Sequence, residues 1–181
     1  MNIGSWYHWV GQLANKGLHL FCNSKRNIMS RQCGPGFMRV SGKVSSGLGR
    51  AHVFMFQKHY QSQFKGVLGV GAWPGTLNVD VGGDSIDAFL ELRVLAGLDE
   101  GVPDDSIEAH RIEGFERDGK SFGGATAFKG RIRRTGGKWE ECAILVPDLT
   151  RHTSTAEVIS GAFLRETLPC SDGEEVEIEL N

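Results

Sequence analysis

The hydropathy pattern of this chain reads mainly as short β-strands from Phe37 onward. Residues 76–81 give the clearest strand: Leu77, Val79 and Val81 alternate with Thr76, Asn78 and Asp80, and a period of two places the two sets on opposite faces. Residues 37–44 alternate in part and end in Ser-Ser-Gly, and residues 51–56 form a second short apolar run. Residues 107–116 and 121–134 predict a hairpin, 139–146 a further strand and 174–180 the closing strand. Three segments break this rhythm. Tyr60, Phe64, Val67 and Leu68 recur at helical spacing within residues 59–68. The Gly82-Gly83-Asp84-Ser85 turn supplies a helix N-cap, after which Ile86, Phe89, Leu90 and Val94 share one helical face up to Gly97. Residues 162–168 form a short helix, and residues 99–105 a polar loop. Many short strands with glycine-rich turns predict a mainly β fold closed as a small barrel. The 25 glycines agree, since barrels need bends and bulges.

The strand at 76–81 also carries the first candidate chemistry. Gly75, Thr76, Leu77 and Asn78 follow a Pro74-Gly75 turn signal, so Thr76 and Asn78 project together from the mouth of the strand. A hydroxyl and a carboxamide side by side are hard, neutral oxygen ligands. They suit Mg²⁺, which takes few protein groups and completes its shell with water and phosphate oxygens. The alternative is a polar face on an edge strand, and for so short a motif alone that alternative prevails.

A second motif is rejected. Gly114-Phe115-Glu116-Arg117-Asp118-Gly119-Lys120-Ser121 satisfies the phosphate-loop pattern G-x-x-x-x-G-K-[ST] letter for letter. That pattern works only where a strand feeds the loop and a helix leaves it. Here Phe122-Gly123-Gly124 follows, a poor helix start, and Asp118-Gly119 is a preferred two-residue hairpin turn. The segment is expected to be a hairpin tip.

Composition narrows the function classes. A chain of 181 residues fits one domain with room for a sizeable core. Twenty Lys+Arg against 22 Asp+Glu leave a net charge of −2, which offers no global field for a nucleic acid. A barrel for single-stranded nucleic acid is also disfavoured by the lack of a basic-aromatic stripe. Cys22, Cys33, Cys142 and Cys170 are widely spaced, make no metal-ligand pattern and read as isolated thiols in a reducing cytoplasm. Residues 1–37 contain Trp6, Tyr7 and Trp9 but no apolar run of signal-peptide or membrane-spanning length. They are expected to be a functionally silent leader, or to reflect a start codon placed too early, with Met29 or Met38 as initiator. The domain proper is taken as residues 38–181, a cytoplasmic monomer without nucleic-acid or membrane partners.

The Thr76/Asn78 motif has company. Ser46-Gly47-Leu48-Gly49 lies upstream, and Pro147, Thr150 and His152 lie downstream in a Pro-x-x-Thr-x-His arrangement. Glu157-Val158-Ile159, Leu164-Arg165-Glu166 and Asp172-Gly173-Glu174-Glu175-Val176 follow in order. This ordered set resembles the archaeal-type CTP-dependent riboflavin kinase family over about residues 38–180. The resemblance implies a six-stranded cradle-loop barrel that phosphorylates riboflavin to FMN with CTP and Mg²⁺. It implies nucleotide contacts from Gly47, Leu48, Gly49, Arg50, Ala51 and His52, and from Ala162, Phe163, Leu164 and Arg165, whose backbone would read the base. It also implies flavin contacts from Thr150 and Glu157, and Mg²⁺ ligation by Thr76 and Asn78. Between Thr150 and Leu164 the chain is one residue shorter than some members of the family, so Glu157 is aligned on the Val158-Ile159 that follows it. Phosphoryl transfer needs mainly positioning and charge neutralisation, and Glu157, the one family-matched carboxylate on the flavin side, is assigned as general base. The N-terminal winged helix-turn-helix domain of many members would not fit in 37 residues.

Two letters depart from the family. Its Gly-Leu-Gly-Glu-Gly becomes Gly-Leu-Gly-Arg-Ala, with Arg50 for the acid and Ala51 for the third glycine. Ala51 would be strained wherever a positive φ is required, whereas Arg50 adds a cation for phosphate. The alternative function is a non-catalytic flavin- or nucleotide-binding regulatory barrel, against which the intact Thr76/Asn78 pair argues.

Overall fold

Alternation at residues 77–81 is realised as strand β2 (Leu77–Val81), whose Leu77, Val79 and Val81 are buried while Asp80 is exposed. The computed structural model describes residues 37–47, 49, 51–103 and 106–181, so residues 1–36 of the expected leader, Leu48, Arg50, Cys22 and Cys33 lie outside the described residues. Around β2 stand β1 (Met38–Ser45), β3 (Ala109–Ile112), β4 (Phe115–Arg117), β5 (Lys120–Phe122), β6 (Ala125–Arg134), β7 (Glu140–Pro147), β8 (Thr155–Ile159) and β9 (Glu175–Leu180). Neighbouring strands run in the order β6-β7-β8-β2-β1-β9, all pairs antiparallel, and β9 returns to β6 to close a six-stranded barrel.

Closure divides one edge of β6. Its first residues, Ala125–Phe128, pair with β3, and from Gly130 to Arg134 the same edge pairs with β9. Gly130 is paired with Leu180 on one side and Cys142 on the other. A Cβ there would overlap the Glu179 carbonyl oxygen, so the two backbones meet closely only because residue 130 is glycine. Inside the barrel Val40, Val44, Phe128, Ile132, Ile144, Val158, Val176 and Ile178 form the dry core, joined by Cys142 and Cys170. Burial pushes the thiols of both cysteines up, which keeps them protonated and inert.

The outer face is covered on one side. Helix α2 (Lys58–Leu68) lays Tyr60, Phe64 and Val67 over Ile112, Ala125, Ala127, Ala143, Leu145 and Ile159. Three of the strand positions are alanine, which leaves room for the helix. Helices α1 (Ala51–Met55), α3 (Ile86–Leu95) and α4 (Leu164–Thr167) and a 3-10 turn at Gly83–Ser85 complete the described elements, and no helix among the described residues is long and apolar enough to cross a membrane.

Several local expectations change. The run at residues 51–56 is helix α1, where of the five only Met55 is buried. The hairpin of residues 107–134 is broken: β3 pairs with β6, while β4 and β5 form a separate ribbon at the tip. At the break a Cβ on Gly114 would overlap the Phe122 carbonyl oxygen, so the two backbones come close there only because residue 114 is glycine. Ser85 makes no side-chain cap; its hydroxyl instead accepts from the Ser41 amide at 3.1 Å and pairs with the Ser41 hydroxyl at 2.8 Å. The buried face of α3 is Phe89, Leu92 and Arg93, and Leu90 is exposed. Strand β8 was hidden because its Ala156 and Val158 are the only inward apolar pair between polar loops.

Gly130→Ala should therefore lower the urea midpoint by an amount equivalent to about 1–3 kcal/mol, the cost of forcing atoms into a filled space. Gly66→Ala should shift it the other way by roughly 0.5–1 kcal/mol, because Gly66 is exposed inside α2 with nothing near its Cβ position. Equal shifts of one sign would refute the closure argument.

Candidate functional site

Where α2 stops, the outer face of the barrel becomes polar. Antiparallel pairing sets Ser45 opposite Asn78 and Asn78 opposite Glu157, so three strands, β1, β2 and β8, present these side chains in one row. Thr76 precedes β2 by one residue, and its hydroxyl donates to Asn78 Oδ1 at 3.2 Å. The two side chains that alternation placed together do meet. A divalent ion with oxygen ligands at about 2.1 Å in octahedral array keeps adjacent ligands about 3 Å apart. The Thr76 Oγ1 and Asn78 Oδ1 spacing fits such a pair, both being neutral hard donors, so these residues are suited to Mg²⁺. Among the described residues no cluster of three or more His, Cys, Asp or Glu side chains offers a rival metal centre.

The bend after β1 lies against this pair. A Cβ on Gly47 would meet the Asn78 amide nitrogen, so the bend lies directly against the Thr76/Asn78 side of β2. Gly49 takes φ +66°, and its carbonyl lies 2.8 Å from His52 Nδ1. Ala51 opens helix α1 and is not among the positive-φ residues, so its departure from glycine carries no backbone strain. His52 is exposed on the same helix.

The second expected nucleotide segment comes to the same place. Phe163 caps α4, and Leu164 is buried beneath it. The guanidinium of Arg165 donates to the Ser45 carbonyl at 3.0 Å and to Asp172 Oδ1 at 2.7 Å, while the Ser46 hydroxyl donates to Asp172 Oδ2 at 2.6 Å. Ser46 first, then Arg165, hold the Asp172 carboxyl below the usual carboxylate range. Asp172 thus ties the bend to α4. Ala162, Phe163 and Arg165 line a cleft with Trp73, Gly75 and Thr76, and Trp73 stacks on Phe163 with ring centroids 5.3 Å apart. Ser46, Trp73 and Asp172 were not among the expected site residues, although Ser46 and Asp172 sit in the Ser-Gly-Leu-Gly and Asp-Gly segments that carry the family resemblance.

On the other side of the row lies the loop between β7 and β8. Thr150 N–H donates to the Pro147 carbonyl at 3.0 Å, and Thr150 Oγ1 accepts from the His152 amide at 3.2 Å. Arg93 Nη1 donates to the His152 carbonyl at 2.7 Å from the buried face of α3. Sequence reasoning passed over Arg93; the signal was a cation four residues after Phe89 on an apolar face. The glycine-rich Lys120 segment stands apart from all this. Asp118 and Gly119 take φ +53° and +70°, as the central residues of a type I′ turn do, and Lys120 and Ser121 continue into β5 rather than a helix. It is a hairpin tip, as expected.

Glu157 is the electrostatic oddity of the row. Burial pushes its carboxyl above the usual range, and the nearby His152 partly opposes this. An acid whose folded pKa is raised destabilises the fold once it ionises: the penalty is absent below the ordinary glutamate pKa and complete above the raised one. Glu157→Gln should match the wild type in thermal stability at acidic pH and exceed it at neutral pH. A variant less stable at neutral pH would mean that the carboxylate is held by favourable partners instead.

Comparison with known proteins shows the family. The family model named CTP-dep_RFKase, described as a domain of unknown function (DUF120), matches residues 44–180. A riboflavin kinase of Methanoculleus marisnigri is 34% identical over 142 residues, covering 78% of this chain and 56% of that protein. One from Pyrobaculum islandicum is 34% identical over 144 residues, covering 79% and 60%. One from Thermoplasma acidophilum is 30% identical over 141 residues, covering 78% and 56%. The chain thus spans a little over half the length of these curated relatives. On the matched residues and the closed barrel together, the chain belongs to the CTP-dependent riboflavin kinase family.

Proposed function

We propose that this chain phosphorylates riboflavin to FMN with CTP as donor and Mg²⁺ as metal. The observation that carries the reading is the convergence at one end of β2. The Thr76/Asn78 pair lies between the Gly47 bend, the Arg165 cleft and Glu157. The names of the relatives and of the family model support the substrate and the donor respectively.

Each residue then has a task. Thr76 and Asn78 would hold the metal, which when bound neutralises phosphate charge. The bend at Gly47 and Gly49 offers close backbone approach to phosphates. Arg165, anchored by Asp172, lies where it can supply a charge-assisted bond, and the backbone of residues 162–165 faces the nucleotide. Thr150 orients the flavin. The ribityl 5′-hydroxyl oxygen attacks the γ-phosphorus, the bond to the β-phosphate oxygen breaks, and CDP leaves. Glu157 takes the hydroxyl proton, and its raised pKa moves it toward the range in which a carboxylate works as a base near neutral pH. The helical backbone of Ala51 removes one ground for the non-catalytic alternative.

The test is FMN formation from riboflavin with each of the four nucleoside triphosphates and Mg²⁺, using purified protein. CTP should support turnover much faster than ATP. Thr76→Val and Asn78→Leu should each lower kcat on the order of 10²–10³-fold, as loss of a preorganised electrostatic contact does; Lys120→Ala should leave the rate intact. Equal rates with ATP, abolished by Lys120→Ala, would reinstate the rejected phosphate-loop motif. Tight binding of riboflavin and CTP without FMN would favour the regulatory barrel.

A further inference from the structure

Arg93 is only 7% exposed, on a face of α3 otherwise built from Phe89 and Leu92. A guanidinium that deep is costly unless its donors are used, and an aliphatic side chain would serve packing against the barrel better. Its donors are used in a particular way. Nε and Nη2 grip Asp99 in a two-pronged pair at 2.7 and 2.9 Å, and Nη1 donates to the His152 carbonyl at 2.7 Å.

The local sequence brings Asp99 back for this. Leu98 N–H donates to the Arg93 carbonyl and Gly97 N–H to that of Val94, both at 2.9 Å, with Gly97 at φ +73°. This is the glycine-ended helix stop that turns the chain back on its last turn. Asp99 therefore locks the plane of the guanidinium, and its remaining edge meets a loop 59 residues further along the chain. There the His152 amide donates to Thr150 Oγ1. With its oxygen accepting that bond, the Thr150 hydroxyl has its own proton free to donate to a ligand.

We propose that Arg93 is a positioning residue for the flavin side of the site. Through the His152 carbonyl it sets the orientation in which the Thr150 hydroxyl is offered to riboflavin. It touches neither substrate, and the inference rests on the riboflavin kinase reading above. A guanidinium needed only to fasten α3 would affect both substrates and stability alike; one that positions the loop affects riboflavin alone.

The experiment compares wild type, Arg93→Met, Arg93→Lys and Asp99→Asn. It measures riboflavin affinity by quenching of flavin fluorescence, CTP affinity by calorimetry, the urea midpoint, and amide exchange of the protein without substrates. In Arg93→Met, riboflavin affinity should fall about tenfold or more, in line with losing a bond from a charged donor, while CTP affinity stays unchanged. Arg93→Lys should recover part of the loss, because it keeps a donor for the carbonyl. Asp99→Asn, which loosens the guanidinium plane from outside the core, should show the same split in smaller measure. Exchange at the His152 amide should accelerate in Arg93→Met with the β-strand amides still protected. Unchanged riboflavin affinity in Arg93→Met, or a joint loss of both affinities with the midpoint in Asp99→Asn, would overturn the proposal. A wild type that does not bind riboflavin would overturn the functional reading, and the exchange result would then decide the positioning role by itself.

Discussion

The divided edge of β6 is the constraint on which the molecule depends. Because β3 occupies that edge up to Phe128, β9 can pair only from Gly130 onward. That fixes the stagger at which the barrel closes, and with it the register of β9 against β1. Register decides which side chains face outward. The row that puts Ser45, Asn78 and Glu157 in line follows from pairings that a slip of one residue would turn inward.

The outer face then splits into two chemistries. Under α2 it is alanine-rich and dry, closed by Tyr60, whose hydroxyl donates to the Gly123 carbonyl at 2.6 Å. Beyond α2 the same face carries a carboxylate that burial keeps from ionising easily. A domain with only a few kcal/mol of net stability does not keep such a group for packing. Its neighbours are a hydroxyl–carboxamide pair and a glycine bend, groups suited to a ligand. A carboxyl perturbed by burial beside such groups is a common mark of a ligand site.

Much of this was legible from residue order. The alternation at residues 77–81 gave β2 and the shared face of Thr76 and Asn78, because a half-buried strand must alternate. Asp118-Gly119 announced the turn that leads Lys120 into a strand rather than a helix, since both central residues need positive φ. What escaped was whatever long-range packing decides. The apolar residues of α1 look strand-like, yet only Met55 finds a buried place. Ser85 had the right side chain for an N-cap but met Ser41 instead, a partner 44 residues away. On α3 an apolar stripe through Leu90 was expected, but the helix turns Arg93 inward, because Asp99 and a distant carbonyl satisfy it there. The contact between Thr76 and Asn78 was readable from spacing; the Asp172 tie and the Arg93 contact with the His152 carbonyl were not, since both join segments remote in sequence.

The pairing of β1 with β9 has a consequence for how the protein comes into being. Met38 faces Leu180 and Lys43 faces Glu175, so the barrel's first strand waits for its last. During synthesis β1 and β2 can form a ladder early, but one edge of β1 stays open until residues 175–180 leave the ribosome. Contacts of such sequence separation slow folding and leave unpaired edges exposed in the meantime. Truncation within β9 would therefore do more than shorten the chain: it would leave two strands, β1 and β6, each with a bare edge available to other chains.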